Sequence, residues 1–183
     1  MADPELPVPI DDLRFPIGGF RHAGPLTPSQ RRDAISRIEA TPALMRAAVA
    51  GLSDAQLDTR YRPGGWTARQ VVHHLSDSHL NSYIRFKLAV TEDGPTIRPY
   101  DQALWAELPE ARTAPVELSV VLLEALHARW LLFLRNLSAE DFTRTFTHPD
   151  HGLVTLDWAV DFYAWHGDHH IAHVTGLRRR MGW

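Results

Sequence analysis

Tyr163-Ala164-Trp165-His166-Gly167-Asp168-His169-His170-Ile171-Ala172-His173 reads as a stretch of amphipathic helix. At 100° per residue, His166 and His170 stand roughly 40° apart on one face. Ala159, Phe162, Tyr163 and Leu177 fall within about 60° of the same direction, so that face looks into a helical core. Thr155 is the expected cap, and the helix is predicted to run to about Arg180, with Gly176 as a weak point. Two imidazoles at i and i+4 can grip one divalent ion, as they do in zinc-protease helices. The glutamate of HExxH is missing, because position 167 is Gly. That weighs against a metalloprotease.

A bound ion needs at least one further protein ligand. Thr67-Ala68-Arg69-Gln70 is a capping box, and the helix it opens carries Val71, Val72, Leu75, Tyr83, Phe86 and Val90 to about Asp93. On this wheel His74 lies about 100° from the apolar centre, at the edge of the core, whereas His73 falls on the far, exposed side. His74 is therefore the preferred third ligand. His169 and His173 form a competing i,i+4 pair, and His173 is also placed to fix a ligand's ring or carry protons.

Two more helices complete the pattern. Thr27-Pro28-Ser29-Gln30 offers a cap, a proline at the first helical position and a capping-box Gln; Ile35, Ile38, Leu44 and Ala48 then run to Gly51, with Pro42 kinking or restarting the helix. The third helix, about 115 to 136, shows Leu118, Val121, Leu122, Ala125, Trp130, Leu131 and Leu134. Between them, Gly94 to Pro115 reads as a loop, and Phe142 to Val154 as a small hairpin or irregular loop that leaves His148 and His151 on an exposed turn. Residues 1–27 form an arm, extended because of its Pro and Gly, whose Leu6, Val8, Ile10, Leu13, Phe15, Ile17 and Phe20 should pack on the body. Four long helices with little strand signal give an all-α four-helix bundle, residues 1–183 being one domain.

Composition narrows the function. The chain has no cysteine, which excludes a disulfide, a zinc ribbon, an iron–sulfur cluster and a cysteine nucleophile. A formal net charge of -3 argues against nucleic-acid binding, and Arg178-Arg179-Arg180 is more simply a cation cluster at a helix C-terminus. The greasiest stretch, Val120 to Leu134, is broken by Glu124, His127 and Arg129, so no membrane span is expected. Met1 to Glu5 lacks signal-peptide features, which leaves the cytoplasm as the expected location.

The chain also resembles a known family. Gly64-Gly65-Trp66-Thr67-Ala68-Arg69-Gln70-Val71-Val72-His73-His74-Leu75-Ser76-Asp77-Ser78-His79 is similar to the second-helix motif of the DinB-like superfamily, in its YfiT branch. Trp165 to His173 resembles that branch's last-helix motif, Arg98-Pro99-Tyr100-Asp101-Gln102 with Leu104-Trp105 its linking loop, and Phe15-Pro16-Ile17-Gly18 its arm. The resemblance implies an up–down–down–up bundle, a homodimer, and one divalent ion per subunit, nickel or zinc, held by His74, His166, His170 and water. It implies a metal-dependent hydrolase, or transfer of a bacillithiol-like low-molecular-weight thiol to small electrophiles. With no HExxH glutamate as base and no cysteine in the chain, thiol transfer is the expectation, hydrolysis the alternative, and a non-catalytic metal-binding or stress-response module the third reading. Asp77, Tyr163 and His173 are the candidate catalytic residues. Arg98, Tyr100 and Trp105 are the candidates for holding an acidic thiol at the mouth.

Overall fold

The computed structural model describes residues 9–183. In chain order they form α1 (Ile10–Arg14), α2 (Pro28–Val49), α3 (Asp54–Leu57), α4 (Ala68–Thr91), α5 (Gln102–Ala106), α6 (Pro109–Thr113), α7 (Val116–Arg135), a 3-10 turn (Asp141–Thr143), β1 (Thr145–His148), β2 (Gly152–Thr155) and α8 (Leu156–Met181). Long helices start where the sequence offers an oxygen to their free N–H groups. Thr27 and Gln30, and again Thr67 and Gln70, form reciprocal capping boxes, and Thr155 accepts from the Trp158 N–H. Gly182, at φ 71°, ends α8 in the left-handed conformation that glycine adopts without strain.

Side-chain pairings fix the direction of each helix. Along α2, Arg31 meets Asp157 and Arg37 meets Asp168, while Arg178 donates to the Ala48 carbonyl, so α2 and α8 run parallel. Along α4, His73 meets Ser119, His79 meets His127 and Tyr83 packs on Phe133, so α4 and α7 also run parallel. His79 against His166 and Arg85 against Tyr163 set α4 antiparallel to α8. The order is up–down–down–up. Parallel neighbours can approach closely where a side chain is missing: a Cβ on Gly167 would lie 2.6 Å from Thr41 Oγ1. The glycine that removes the protease glutamate is therefore the contact that seats α2 on α8.

One apolar cluster, around Ile38, Phe86, Trp130, Leu134 and Val160, fills one half of the bundle. A second, around Met45, Val71, Leu75, Leu123 and Leu177, fills the other. No described helix is long and apolar enough to cross a membrane.

Four expectations need correction. The arm is not wholly extended, since it contains α1; Leu13 is buried, but Phe15 and Ile17 are exposed. Phe20 packs edge-on against Phe162 and Trp158. Leu6, Val8 and the Ile10 side chain lie outside the described residues. The stretch Gly94 to Pro115 holds α5 and α6. On α7 the buried stripe is Val120, Leu123, His127, Trp130 and Leu134, whereas Leu118, Val121, Leu122 and Leu132 face outward. Finally, His73 is buried, because α6 and the start of α7 cover what would otherwise be the outer face of α4; its ring meets Ser119 Oγ at 2.7 Å and the Ala114 carbonyl at 3.2 Å. The hairpin is regular, with Thr145 opposite Thr155 and His148 opposite Gly152.

Candidate metal centre

Between the two apolar clusters the bundle carries a layer of histidines. His74, His166 and His170 each offer a ring nitrogen within 4.8 Å of the others, and all three are buried. Tetrahedral coordination at zinc–nitrogen bond lengths needs those atoms about 3.4 Å apart. Burial pushes His74 down to about 3 and holds His166 and His170 well below the ordinary imidazole range. All three rings are neutral at pH 7 and carry a lone pair.

Hydrogen bonds decide which nitrogen carries it. Pro42 lies within α2 and has no N–H, so the Ile38 carbonyl lacks its helical donor. His127 fills that position, its Nδ1 lying 2.7 Å from Ile38 O. A carbonyl only accepts, so Nδ1 of His127 is the protonated nitrogen and Nε2 the acceptor. His79 Nδ1 lies 2.8 Å from that Nε2 and must donate to it. His79 Nε2 in turn accepts from His166 Nδ1 at 3.2 Å. The chain crosses all four long helices, and it leaves Nε2 of His166 unprotonated. His79 and His127 stay neutral because burial holds His79 well below its ordinary value and His127 at about 4.

A second chain reaches His170. His173 Nε2 lies 3.1 Å from the Arg14 carbonyl and donates to it, so His173 Nδ1 accepts. His170 Nδ1, 3.4 Å away, is the donor, and Nε2 of His170 is left free. This accounting separates two geometrically possible sets. His169, His170 and His173 also cluster, but both nitrogens of His173 are already engaged. His74 has no such anchor; its ring packs on Trp66, 4.6 Å between centroids.

A cavity of about 570 Å³ opens over the three rings. Tyr163 and Tyr100 belong to its wall; burial pushes the Tyr100 phenol up. His173 Nδ1 lies 3.4 Å from His170 Nδ1. Arg98 and Trp105 do not line the cavity: Arg98 is exposed, and Trp105 packs on the outer side of Tyr100. From their loop it is Pro99, Tyr100 and Gln102 that reach the cavity. Asp77 is not among the lining residues either; burial and the nearby Glu110 push its carboxyl up to about 6. His151 is exposed in the hairpin turn, as expected, whereas His148 is part-buried on β1; both line the cavity.

His79, His127 and Arg85 went unassigned in the sequence. The spacing of Val120, Leu123, His127, Trp130 and Leu134, alternating three and four residues, carried the signal for His127. Pro42 four residues after Ile38 marked the carbonyl it would need.

Residues 37–174 match the DinB superfamily. A Bacillus cereus protein and a Bacillus anthracis protein, each named "Putative metal-dependent hydrolase", are 52% identical to the chain over 174 residues, covering 95% of it and 100% of each relative. Among solved structures, Bacillus subtilis YfiT, described as "a probable metal-dependent hydrolase with an unusual four-helix bundle topology", superposes with a TM-score of 0.92 at 50% identity, covering 94% of this chain and 99% of YfiT. The four-helix bundle protein TT2238, at 19% identity and a TM-score of 0.51, shares the fold.

Proposed function

The chain belongs to the DinB superfamily, and from that premise we propose a metal-dependent enzyme in which His74, His166 and His170 hold one divalent ion, zinc or nickel. Its reaction is transfer of the sulfur of a bacillithiol-like low-molecular-weight thiol to a small electrophile. The observation that carries this reading is the pair of carbonyl-anchored histidine chains, each ending on a free Nε2 at the floor of one cavity. A divalent ion held there supplies Lewis acidity, bringing the pKa of a bound thiol or water near neutrality.

The protein's own residues favour a thiol as nucleophile. The chain has no cysteine, and among the described residues the cavity's only carboxylate is Asp150, whose side chain is 75% exposed on the hairpin. Among the described residues no carboxylate base for water stands beside the rings, and burial holds the neighbouring His169 down to about 3, which makes it a weak base. A thiol that arrives with its own sulfur needs none once ionised: the S–H proton leaves, an S–C bond forms, and the acceptor's leaving group departs with its electron pair. Tyr163, one turn before His166 on the wall, can donate to a departing oxyanion. The names of the relatives favour a second reading, hydrolysis, with water in the place of the thiol. A cytoplasmic location belongs to the thiol reading, since a reduced thiol is its cosubstrate. A homodimer also belongs to it, supported by the outward stripe of Leu118, Val121, Leu122 and Leu132.

The test is elemental analysis followed by thiol conjugation to a chlorinated or epoxide acceptor. Activity is expected to vanish with chelator, return with zinc or nickel, and rise with pH until the thiol is fully ionised. Hydrolysis without thiol, at a rate thiols do not improve, would establish the second reading. No turnover with either chemistry would leave a binding module.

A further inference from the structure

Most arginines outside the cavity have carboxylate partners or backbone carbonyls: Arg31 with Asp157, Arg37 with Asp168, Arg46 with Glu117 and Glu124, Arg69 with Asp54 and Asp58. Arg85 is different. It is only 8% exposed, it lines the cavity, and no carboxylate among the described residues lies within ion-pair distance of it. Its two polar neighbours are His148 Nε2 at 3.4 Å and the Tyr163 hydroxyl at 3.5 Å. A guanidinium has five donors, and leaving a buried one unpaired is costly.

The tautomer of His148 removes one of those two neighbours as an acceptor. The Asp150 backbone N–H donates to His148 Nδ1 at 3.1 Å, so in the neutral ring the proton sits on Nε2. Burial and the Arg85 charge keep that ring neutral, at about 4. His148 Nε2–H and the Arg85 guanidinium therefore place donors side by side, with nothing between them to accept. Arg14 and Arg62 line the same cavity, also without a carboxylate partner among the described residues, against the single outward Asp150.

We propose that Arg85, His148 Nε2–H and the Tyr163 hydroxyl form an anion-recognising site that binds the carboxylate or phosphate group of an acidic small molecule. Tyr163 joins this site to the three rings, its ring centroid lying 5.6 Å from that of His166. The bound molecule is thereby oriented with its anionic group on Arg85 and its reactive atom toward His166. The inference rests on the proposed function for the second half of that statement only; the anion site itself needs no ion.

The experiment is a calorimetric titration of the purified protein, chelator-stripped and zinc-loaded in parallel, with inorganic phosphate, with succinate and with the neutral succinamide at low ionic strength. Saturable binding of phosphate or succinate to the stripped protein is expected, with succinamide not binding; the tighter of the two anions identifies phosphate or carboxylate as the group recognised. Arg85→Gln should weaken that binding by about tenfold or more, and His148→Gln, on the hairpin, by about threefold. His148→Gln keeps the test decisive if the buried Arg85 variant does not fold. Absence of saturable anion binding to the stripped wild type, equal binding of succinamide, or variants that bind like the wild type would overturn the site. If the anion binds as described and neither thiol transfer nor hydrolysis is found, the proposed function falls and the anion site stands.

Discussion

His166 and His170 are one turn apart on the same helix, yet their supports differ in kind. His166 is held through His79 and His127, exposed 0% and 1%, and the chain ends on a carbonyl that a proline has left open inside α2. His170 is held through His173 alone, on the carbonyl of Arg14 at the end of the short α1. The first support is part of the core: the rings stack and pack against Trp130, and loosening them means loosening the bundle. The second depends on how well a five-residue helix sits on α8. Two ligands can thus share a tautomer and still differ in rigidity. Carbonyl anchoring sets the lone pair, while burial of the anchor sets how firmly the ring is held.

The most severe test removes both ends of the comparison. His166→Ala combined with His170→Ala should abolish bound metal in a folded protein, measured by elemental analysis; wild-type metal content would refute the ligand assignment. Acid should act next most strongly, through both chains. In the metal-free protein the folded-state values of His74, about 3, and His127 and His173, about 4, lie below those of the unfolded chain. The unfolded state therefore binds more protons as pH falls below about 6.5, and stability declines from there downward, each such ring costing about 2 kcal/mol at pH 5. Chemical denaturation between pH 7.5 and 5 measures this, and a flat profile would refute the neutral buried rings.

Breaking the core chain alone should do less. His127→Phe leaves the His79 Nδ1–H without an acceptor, so stability should fall by about 1–3 kcal/mol and metal affinity by about tenfold or more. His127→Gln, which can donate to Ile38 O and accept from His79, should recover most of both. The smallest effect belongs to the arm-anchored chain. His173→Phe keeps the stack on Tyr61, 3.9 Å between centroids, and should weaken metal binding only a few-fold, about 1 kcal/mol. If His173→Phe cost more than His127→Phe, the order of rigidity drawn between the two chains would be reversed.

Much of this arrangement was legible before any coordinates. Capping boxes at Thr27 and Thr67 located two helix starts, and the spacing of His166, His170 and His74 brought three rings to one core edge. A helical wheel gives the direction of a side chain but not the neighbour that covers it, which is why His73 read as exposed when α6 in fact lies over it. On α7 the wheel itself was ambiguous, because Leu118, Val121, Leu122 and Leu132 are as apolar as the Val120, Leu123 and Leu134 that are buried. The cavity's arginines come from positions 14, 62 and 85, on three separate segments, so no local pattern could join them. Arg98 and Trp105 looked suitable by residue type, but from their loop it is Pro99, Tyr100 and Gln102 that line the cavity.

The central claim is the set of tautomers, and nitrogen NMR of the metal-free protein, labelled at its histidine nitrogens, tests it most directly. At pH 7.5 the account predicts a protonated Nδ1 on His79, His127, His166 and His170, and a protonated Nε2 on His173, with the Nε2 resonances of His166 and His170 shifting together when one equivalent of zinc is added. A protonated Nε2 on His166 or His170, or a zinc shift at Nδ1, would contradict it.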